Sequence, residues 1–402
     1  MSRKTLKALF HMGVKDYKEE YDKRYNNDDT IHLPVSIGDN RAFICQTPEI
    51  YKQIISIERS DKDIEALTKA LPELAISQFT SKCLIDEILL TNNIEGVHST
   101  RKEIGEILQD LSFRDKRNRF VGLVAKYAAL EDTQQLSFKS CQDIRKVYDD
   151  IFYEEIKATD PENLPDGEMF RHSGVEVQSA TQKVIHKGVS PESKIIEVMQ
   201  QSLDVLNDDS IDIFIRIAVF HYLFGYIHPF YDGNGRTSRF ISSYLLSRQL
   251  NPLIGFRLSY TVKENISKYY KAFDVCNDPH NKAELTPFVE MFLSIVDTSM
   301  QQLLETLEEK KHKWDYYCQR INRLPNAEKS GITHLYELLI QAALFSNIGI
   351  SREELISQMQ ISENTLRSRL KLIPETMLLV NLQKGRKYYL IDLDKADKLF
   401  EY

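Results

Sequence analysis

The chain contains no Cys-x-x-Cys pair, and its five cysteines, Cys45, Cys83, Cys141, Cys276 and Cys318, are an odd number. That pattern predicts reduced thiols in a cytosol and no cysteine zinc site. Basic residues are the minority, with 52 Lys and Arg against 59 Asp and Glu and a formal charge of −7. This balance argues against a protein coated with nucleic acid, while leaving room for a local basic patch. No window approaches the length of a membrane-spanning helix. The N-terminus carries Arg3, Lys4, Lys7 and Lys15 but no apolar stretch long enough for export, so a cytoplasmic location is expected. Internal repeats and low-complexity tracts are absent as well. What is present, 42% hydrophobic and 28% charged residues, is an ordinary globular composition over 402 residues. That length allows roughly two to three domains.

Residues 1–60 read as a polar, irregular N-terminal cap with one strand-like run at 41–45. From 61 to 300 helical spacing dominates, over Asp61–Leu71, Leu74–Ile94, Glu103–Leu111, Asn118–Leu130, Glu192–Leu206, Ile211–Ile227 and Arg236–Gln249. Asn251-Pro252 stops the last of these. One island is not helical: Val175–Val177 and Lys183–His186 read as two short strands around a turn at Ser179–Gln182. Residues 301–329 are strongly charged and read as a solvated connecting helix. Beyond 330, Ser351 with Glu354 and Ser362 with Thr365 mark two helix starts, the first a full capping box. Strand-like Met377–Leu382 and Tyr388–Ile391 then flank a basic turn, Lys384-Gly385-Arg386-Lys387. Three helices and a basic-tipped hairpin over 330–402 resemble a winged helix. Between 362 and 387 the positive residues, Arg367, Arg369, Lys371, Lys384, Arg386 and Lys387, outnumber Glu363 and Glu375. Arg367, Arg369 and Arg386 are the candidates for contact with duplex DNA, although winged helices bind proteins too.

Residues 228–239 read His-Pro-Phe-Tyr-Asp-Gly-Asn-Gly-Arg-Thr-Ser-Arg. Gly233 and Gly235 flank Asn234, so the backbone can bend tightly there without side chains covering its amides. Such a turn at the start of a helix aims N–H groups and the positive end of the helix dipole at one spot, which suits a phosphate. Arg236 and Arg239 stand three apart on one helix face, able to grip neighbouring phosphate oxygens. Asp232 is a hard oxygen ligand beside that spot, suited to a Mg²⁺ that bridges phosphates. His228 is the one obvious general base in the segment. Each residue alone has a plainer reading. The glycines make a turn, the arginines a solvated face, and His228 continues the core stripe of Phe214, Ile217, His221 and Phe224. Packing needs alone hardly produce the whole order of base, acid, amide turn and paired arginines.

The segment resembles the signature of Fic-domain (filamentation-induced-by-cAMP) proteins, His-Pro-Phe-x-(Asp/Glu)-Gly-Asn-Gly-Arg-x-x-Arg, at every specified position. The resemblance implies a protein adenylyltransferase, a nucleotidyltransferase that moves AMP from ATP onto a hydroxyl side chain of a protein. ATP is then the co-substrate and Mg²⁺ the cofactor. It implies that His228 deprotonates the target hydroxyl and that Asp232 holds the Mg²⁺. Asn234, with the amides around Gly233 and Gly235, would form the anion hole for the α- and β-phosphates. Arg236 would bind the phosphate chain and Arg239 the γ-phosphate. The short hairpin would be a flap that holds the target segment by strand addition; otherwise it is a plain surface hairpin. Tyr270 and Asn277 would line the adenine pocket, where an aromatic ring and an amide suit a purine, although paired tyrosines on a helix are usually core. Gly225 stands where a Glu is common in such proteins.

A second segment, Thr91-x-x-x-Glu95-Gly96, resembles the inhibitory pattern (Ser/Thr)-x-x-x-Glu-(Gly/Asn) of the same family. Leu84, Ile85, Ile88, Leu89 and Ile94 give the apolar stripe of a helix over about 80–96, and Gly96 is its stop. A carboxylate in the last turn faces partial negative charge on the helix carbonyls, which is unfavourable unless a cation compensates. The resemblance makes Arg239 that cation, with the pair obstructing the γ-phosphate site; otherwise Glu95 is an ordinary surface residue. Because Glu95 precedes the main motif, the pattern is that of the class with an N-terminal inhibitory helix. The expected fold is mainly α, a Fic-type helical core with a small β-hairpin flap and a C-terminal winged-helix domain. The expected function is an autoinhibited adenylyltransferase. Two alternatives stay open, a DNA-binding regulator whose Fic domain senses nucleotide, and an enzyme that mainly removes AMP. Expected partners are ATP, an unidentified target protein (the chain itself among the candidates), duplex DNA and a second copy of the chain, with no membrane.

Overall fold

The computed structural model describes residues 3–13, 17–109, 119–131, 135–178 and 184–400. The chain divides into two compact units, Met1–Asp61 with Asp86–Gln301 and Lys62–Ile85 with Gln302–Tyr402. In order the elements are α1 (Leu6–His11), α2 (Tyr17–Tyr25), β1 (Thr30–Ile37), β2 (Asn40–Cys45), α3 (Pro48–Ala70), α4 (Glu73–Ile94), α5 (Arg101–Gln109), α6 (Val121–Ala128) and α7 (Cys141–Thr159). There follow β3 (Glu176–Gln178), β4 (Val184–Lys187), α8 (Glu192–Leu206), α9 (Ile213–Ile227), α10 (Asn234–Gln249), α11 (Leu258–Glu264), α12 (Ile266–Asn277) and α13 (Thr286–Arg320). The last are α14 (Ile332–Phe345), β5 (Ile350–Ser351), α15 (Arg352–Met359), α16 (Glu363–Leu370), β6 (Leu378–Gln383), β7 (Arg386–Ile391) and α17 (Leu393–Phe400). The fold is mainly α, as expected. Among the described residues no helix is long and apolar enough to cross a membrane. The expected turn at Ser179–Gln182, Lys183, and the helix ends at Leu111 and Asn118 lie outside the described residues.

The N-terminal region is ordered rather than irregular. β1 and β2 pair antiparallel, with Leu33, Val35 and Ile37 buried and Pro34 and Ser36 exposed, a period of two. Pro34 breaks a strand pattern on paper, but it falls in the stretch between His32 and Ser36 where the register shifts, and there its missing N–H costs no ladder bond. Phe43 of β2 joins Glu284 in a bridge, and the buried Arg24 of α2 pairs with Glu284 at 2.9 Å. Helix α3 starts at Pro48, thirteen residues before the expected Asp61, because Thr47 accepts from the Ile50 N–H as a cap and Pro48 suits the first turn. Helix α7 was not expected, although Ser140 and Asp143 form its capping box.

Helices α9 and α10 make the centre of the first unit. Helix α9 is buried all round from Ile217 to Phe224, which only a core helix tolerates. Helix α10 is as buried but polar, enclosing Asn234, Arg236, Thr237, Ser238, Arg239, Ser242 and Ser243. Buried polar side chains are the informative exception to apolar cores. Some are satisfied locally: His221 sits between Ser242 Oγ at 2.8 Å and Tyr269 Oη at 2.7 Å. Burial then pushes that imidazole down to about 3.

The second unit holds α14 and a three-stranded antiparallel sheet in the order β5-β7-β6. Ser351 accepts from the Glu354 N–H at 3.1 Å while the Glu354 carboxylate accepts from the Ser351 N–H at 2.8 Å, the capping box of α15. Ser362 accepts from the Thr365 N–H at 3.2 Å at the start of α16. Lys384 and Gly385, at φ 45° and 75°, turn β6 into β7, and positive φ at both positions matches the right-handed strand twist. Helix α17 closes the unit and was not anticipated.

Candidate active site

His228 follows the last residue of α9 in the left-handed conformation, φ 52° and ψ 62°, its N–H still bonded to the Phe224 carbonyl at 2.9 Å. That cap takes its side chain off the core stripe that Phe214, Ile217, His221 and Phe224 follow. The ring is half-buried and donates to the Gly225 carbonyl, leaving its other nitrogen to accept a proton. Burial first, then the Arg171 charge, push its pKa down to about 4, against a smaller upward pull from Glu95. His228 is therefore neutral at pH 7, the form a general base needs. Gly225 also has a steric reason: a Cβ there would lie 2.6 Å from the Phe273 ring, so no larger residue fits without moving it.

The turn after His228 is built from behind by α7. Tyr148 stacks on Phe230 at 3.5 Å and donates to the Asp232 carbonyl at 3.1 Å. Gly233 is left-handed at φ 77° and opens α10 with no side-chain cap. The Asn234 carboxamide is engaged within the loop, accepting from the Phe230 N–H at 2.9 Å and donating to the Phe230 carbonyl at 2.8 Å. It shapes the turn, and the backbone N–H groups of the first turn of α10 remain for an anion. Asp232 is exposed, with Oδ1 accepting from the Gly233 N–H at 2.5 Å.

The two arginines turn to different carboxylates. Arg236 is fully buried, donates from Nη1 to Glu155 of α7 at 2.6 Å, and lies 4.5 Å over the Phe152 ring. Among the described residues its Nε and Nη2 have no hydrogen-bond partner, and Nη2 lies 3.7 Å from Asp232 Oδ2 as an ion pair. Burial, opposed by Arg236, raises the Glu155 pKa. Arg239, only 1% exposed, donates from Nε to Thr91 Oγ1 at 2.8 Å and from Nη2 to the Thr91 carbonyl at 3.1 Å and Glu95 Oε1 at 2.7 Å. Burial works against its charge, and Glu95 together with Tyr269 and Tyr270 outweighs it, so the net shift is upward. Glu95 follows directly on α4, and Gly96 beside it is left-handed at φ 73° as a helix stop. The Glu95 carboxylate occupies the place a Cβ on Gly235 would take, at the start of α10. Tyr270 is close enough to feel both Glu95 and Arg239, whereas Asn277, at the far end of α12, accepts from Tyr222 Oη at 2.7 Å.

Residues 137–246 match the Fic/DOC family. This stretch is similar to Fic domains. Over 228 residues it is 27% identical to the protein adenylyltransferase fic-1 of Caenorhabditis elegans, covering 55% of this chain and 40% of that protein. Over 266 residues it is 27% identical to the protein adenylyltransferase Fic of Aedes aegypti, covering 63% and 49%. The chain spans less than half the length of these curated relatives. A Fic family protein from Desulfovibrio desulfuricans G20 shares the fold at a TM-score of 0.53 and 18% identity, over 90% of this chain and 98% of that one.

Three residues around this site escaped the sequence reading. Glu155 interrupts the apolar face of α7 formed by Ile144, Val147, Tyr148, Ile151 and Phe152, so an acid on a core stripe was its signal. Glu87 lies eight residues before Glu95 on α4, fully buried, and accepts from the Ser259 N–H at 2.9 Å; burial raises it to about 7 against the Ser259 bonds. Arg171 stands in an irregular segment where no periodicity could single it out.

Proposed function

We propose that this chain is a protein adenylyltransferase that transfers AMP from ATP to a protein hydroxyl group and is restrained by Glu95. The observation that carries this reading is one loop–helix junction where a neutral His228, the opening of α10 and Arg239 meet, with Glu95 bonded to Arg239 at 2.7 Å. In the reaction the target hydroxyl oxygen attacks the α-phosphorus while its proton passes to His228. The bond from that phosphorus to the bridging oxygen breaks, and pyrophosphate leaves. N–H groups at the start of α10 would face the phosphates, and the Arg236 guanidinium, whose Nη2 lies 3.7 Å from Asp232 Oδ2, would add its charge to them. The exposed Asp232 carboxylate suits Mg²⁺, which usually takes one or two carboxylates together with substrate phosphate oxygens. When bound, the ion neutralises charge on the phosphates. The half-exposed Tyr270 ring is available to a purine, and Asn277 keeps its NH₂ as a donor.

Labelled ATP tests the reading. Label in the α-phosphate should become fixed to protein and label in the γ-phosphate should not. If neither wild type nor a Glu95→Gly chain fixes α-label while still binding ATP, the reading is wrong. The pH profile gives a second check. A base lowered to about 4 loses activity only as pH falls through that value, so the rate should stay flat from there to neutral pH. An acid limb near the ordinary histidine value, about 6.5, would show that burial does not hold His228 neutral.

For residues 330–402 we propose a winged helix that contacts duplex DNA. The helix–strand–helix–helix–hairpin order supports it, as do the exposed Arg367 on α16 and Arg386 on the hairpin. Arg369 is half-buried with its guanidinium against Gly331 and contributes less. The full chain should be retained on duplex DNA at low salt, and Arg367→Ala with Arg386→Ala should lower both affinity and its salt dependence. No retention at low salt would favour a protein-binding role.

A further inference from the structure

Arg171 is fully buried, yet its hydrogen bonds go to no carboxylate. Nε donates to the His228 carbonyl at 2.8 Å and Nη1 to the Ser173 carbonyl at 2.6 Å. Nη2 donates to the Val189 carbonyl at 2.8 Å and the Ile227 carbonyl at 3.3 Å. The Arg171 N–H donates to the Pro229 carbonyl at 3.1 Å, so main chain and side chain grip the same loop. A buried charge without an anion is costly unless its donors are satisfied by well-aligned dipoles. Two of these dipoles, the Ile227 and His228 carbonyls, belong to the end of α9, where helix carbonyls carry partial negative charge, and the other two are the Ser173 and Val189 carbonyls. The planar, five-donor guanidinium fits several carbonyls at once, which a lysine cannot do.

Three segments meet at this group. One is 171–173 itself, the second is Gly188–Val189 directly after β4, and the third is Ile227–Pro229, which carries His228. Gly188 donates to the Val175 carbonyl at 3.0 Å and Val189 to the Ile227 carbonyl at 3.1 Å, so the hairpin β3–β4 is tied to the same junction. A Cβ on Gly188 would meet Arg171 Nη2 at 2.5 Å and the His228 Cβ at 3.2 Å, which explains a glycine there. From β4 itself, His186 Nε2 bonds to the Tyr226 carbonyl at 2.7 Å.

We infer that Arg171 is a positioning residue: it locks His228 in its left-handed conformation and fixes the β3–β4 hairpin against the loop that presents the imidazole. Resting on the adenylyltransferase reading, this makes one buried guanidinium responsible for the distance between base and docked target segment. It also acts on the base through charge. The groups that face His228 are Arg171 and His186, which disfavour its protonation, with Glu95 and the Gly225 carbonyl favouring it.

The test uses the full chain carrying Arg171→Met or Arg171→Lys, each also in a Glu95→Gly background. The expected result for Arg171→Met is a kcat about 10²-fold lower, from a misplaced base, with the KM for ATP little changed. The acid limb of the pH profile should move upward, because a positive charge near His228 has gone. Arg171→Lys should restore the acid limb but not kcat, since it keeps the charge and loses the fork. A proton NMR titration of the His228 ring reads the same shift without any turnover. If no chain fixes label, the adenylyltransferase reading fails, and the titration alone still decides the role of Arg171. A folded Arg171→Lys chain with wild-type kcat, or a folded Arg171→Met chain with an unmoved His228 titration, overturns the inference. Should Arg171→Met fail to fold, the kcat of Arg171→Lys decides it.

Discussion

A Glu95→Gly chain should transfer AMP, to itself as well as to a target, about 10²-fold faster than wild type. That size follows from what a small misplacement of reacting atoms costs. The Glu95 carboxylate takes the Arg239 Nη2 at 2.7 Å and covers the opening of α10 at Gly235. On the proposed reading a phosphate chain uses the same guanidinium and the same N–H groups, so with Glu95 present it would bind in a pose that leaves the α-phosphorus out of line. Glycine removes the competitor without dismantling the helix end. The bonds from the Glu95 N–H to the Asn92 carbonyl at 3.1 Å and from the Val97 N–H at 2.9 Å are main-chain and persist. Thr91 still holds Arg239 through Nε at 2.8 Å, so the guanidinium stays presented when its carboxylate is lost. Arg239→Ala in the same chain should cancel the gain, because both effects pass through that one group. The measurement is α-label fixed per unit time by wild type, Glu95→Gly and the double variant. Equal or lower transfer by a folded Glu95→Gly chain would remove the inhibitory role.

What the sequence made legible follows from how local each signal is. Helices α8 and α9 were readable because apolar spacing and their ends depend on neighbouring residues only. The Glu95–Arg239 pair was readable because two resemblances, each local, name its two ends. Pro34 hid β1, since only the register shift in pairing with β2 shows that a proline fits there. Arg236 and Arg239 looked alike on one helix face, and nothing local says that α7 supplies Glu155 to one while α4 leads Glu95 to the other. The stripe through His221 and His228 has the same limit. Spacing cannot reveal that a left-handed cap lets one imidazole leave the core while the other stays bonded to Ser242 and Tyr269.

That cap decides how the base must be tested. His228→Ala should lower the transfer rate by about 10² to 10⁴, the range general base catalysis contributes. It should leave ATP affinity largely intact, because the first turn of α10, Arg236 and Arg239 are untouched. Alanine, however, is a poor residue at φ 52°, where a Cβ crowds the carbonyl and only glycine, asparagine and a few others rest easily. Lost activity in His228→Ala alone could therefore come from a displaced loop. His228→Asn removes the imidazole yet tolerates the left-handed conformation, so it separates the two causes. Both variants should lose transfer to a similar extent while binding ATP by calorimetry as wild type does, with Asn the more thermally stable. If His228→Asn transfers AMP at near the wild-type rate, the imidazole is not the base, and the proton must leave the target hydroxyl by another route.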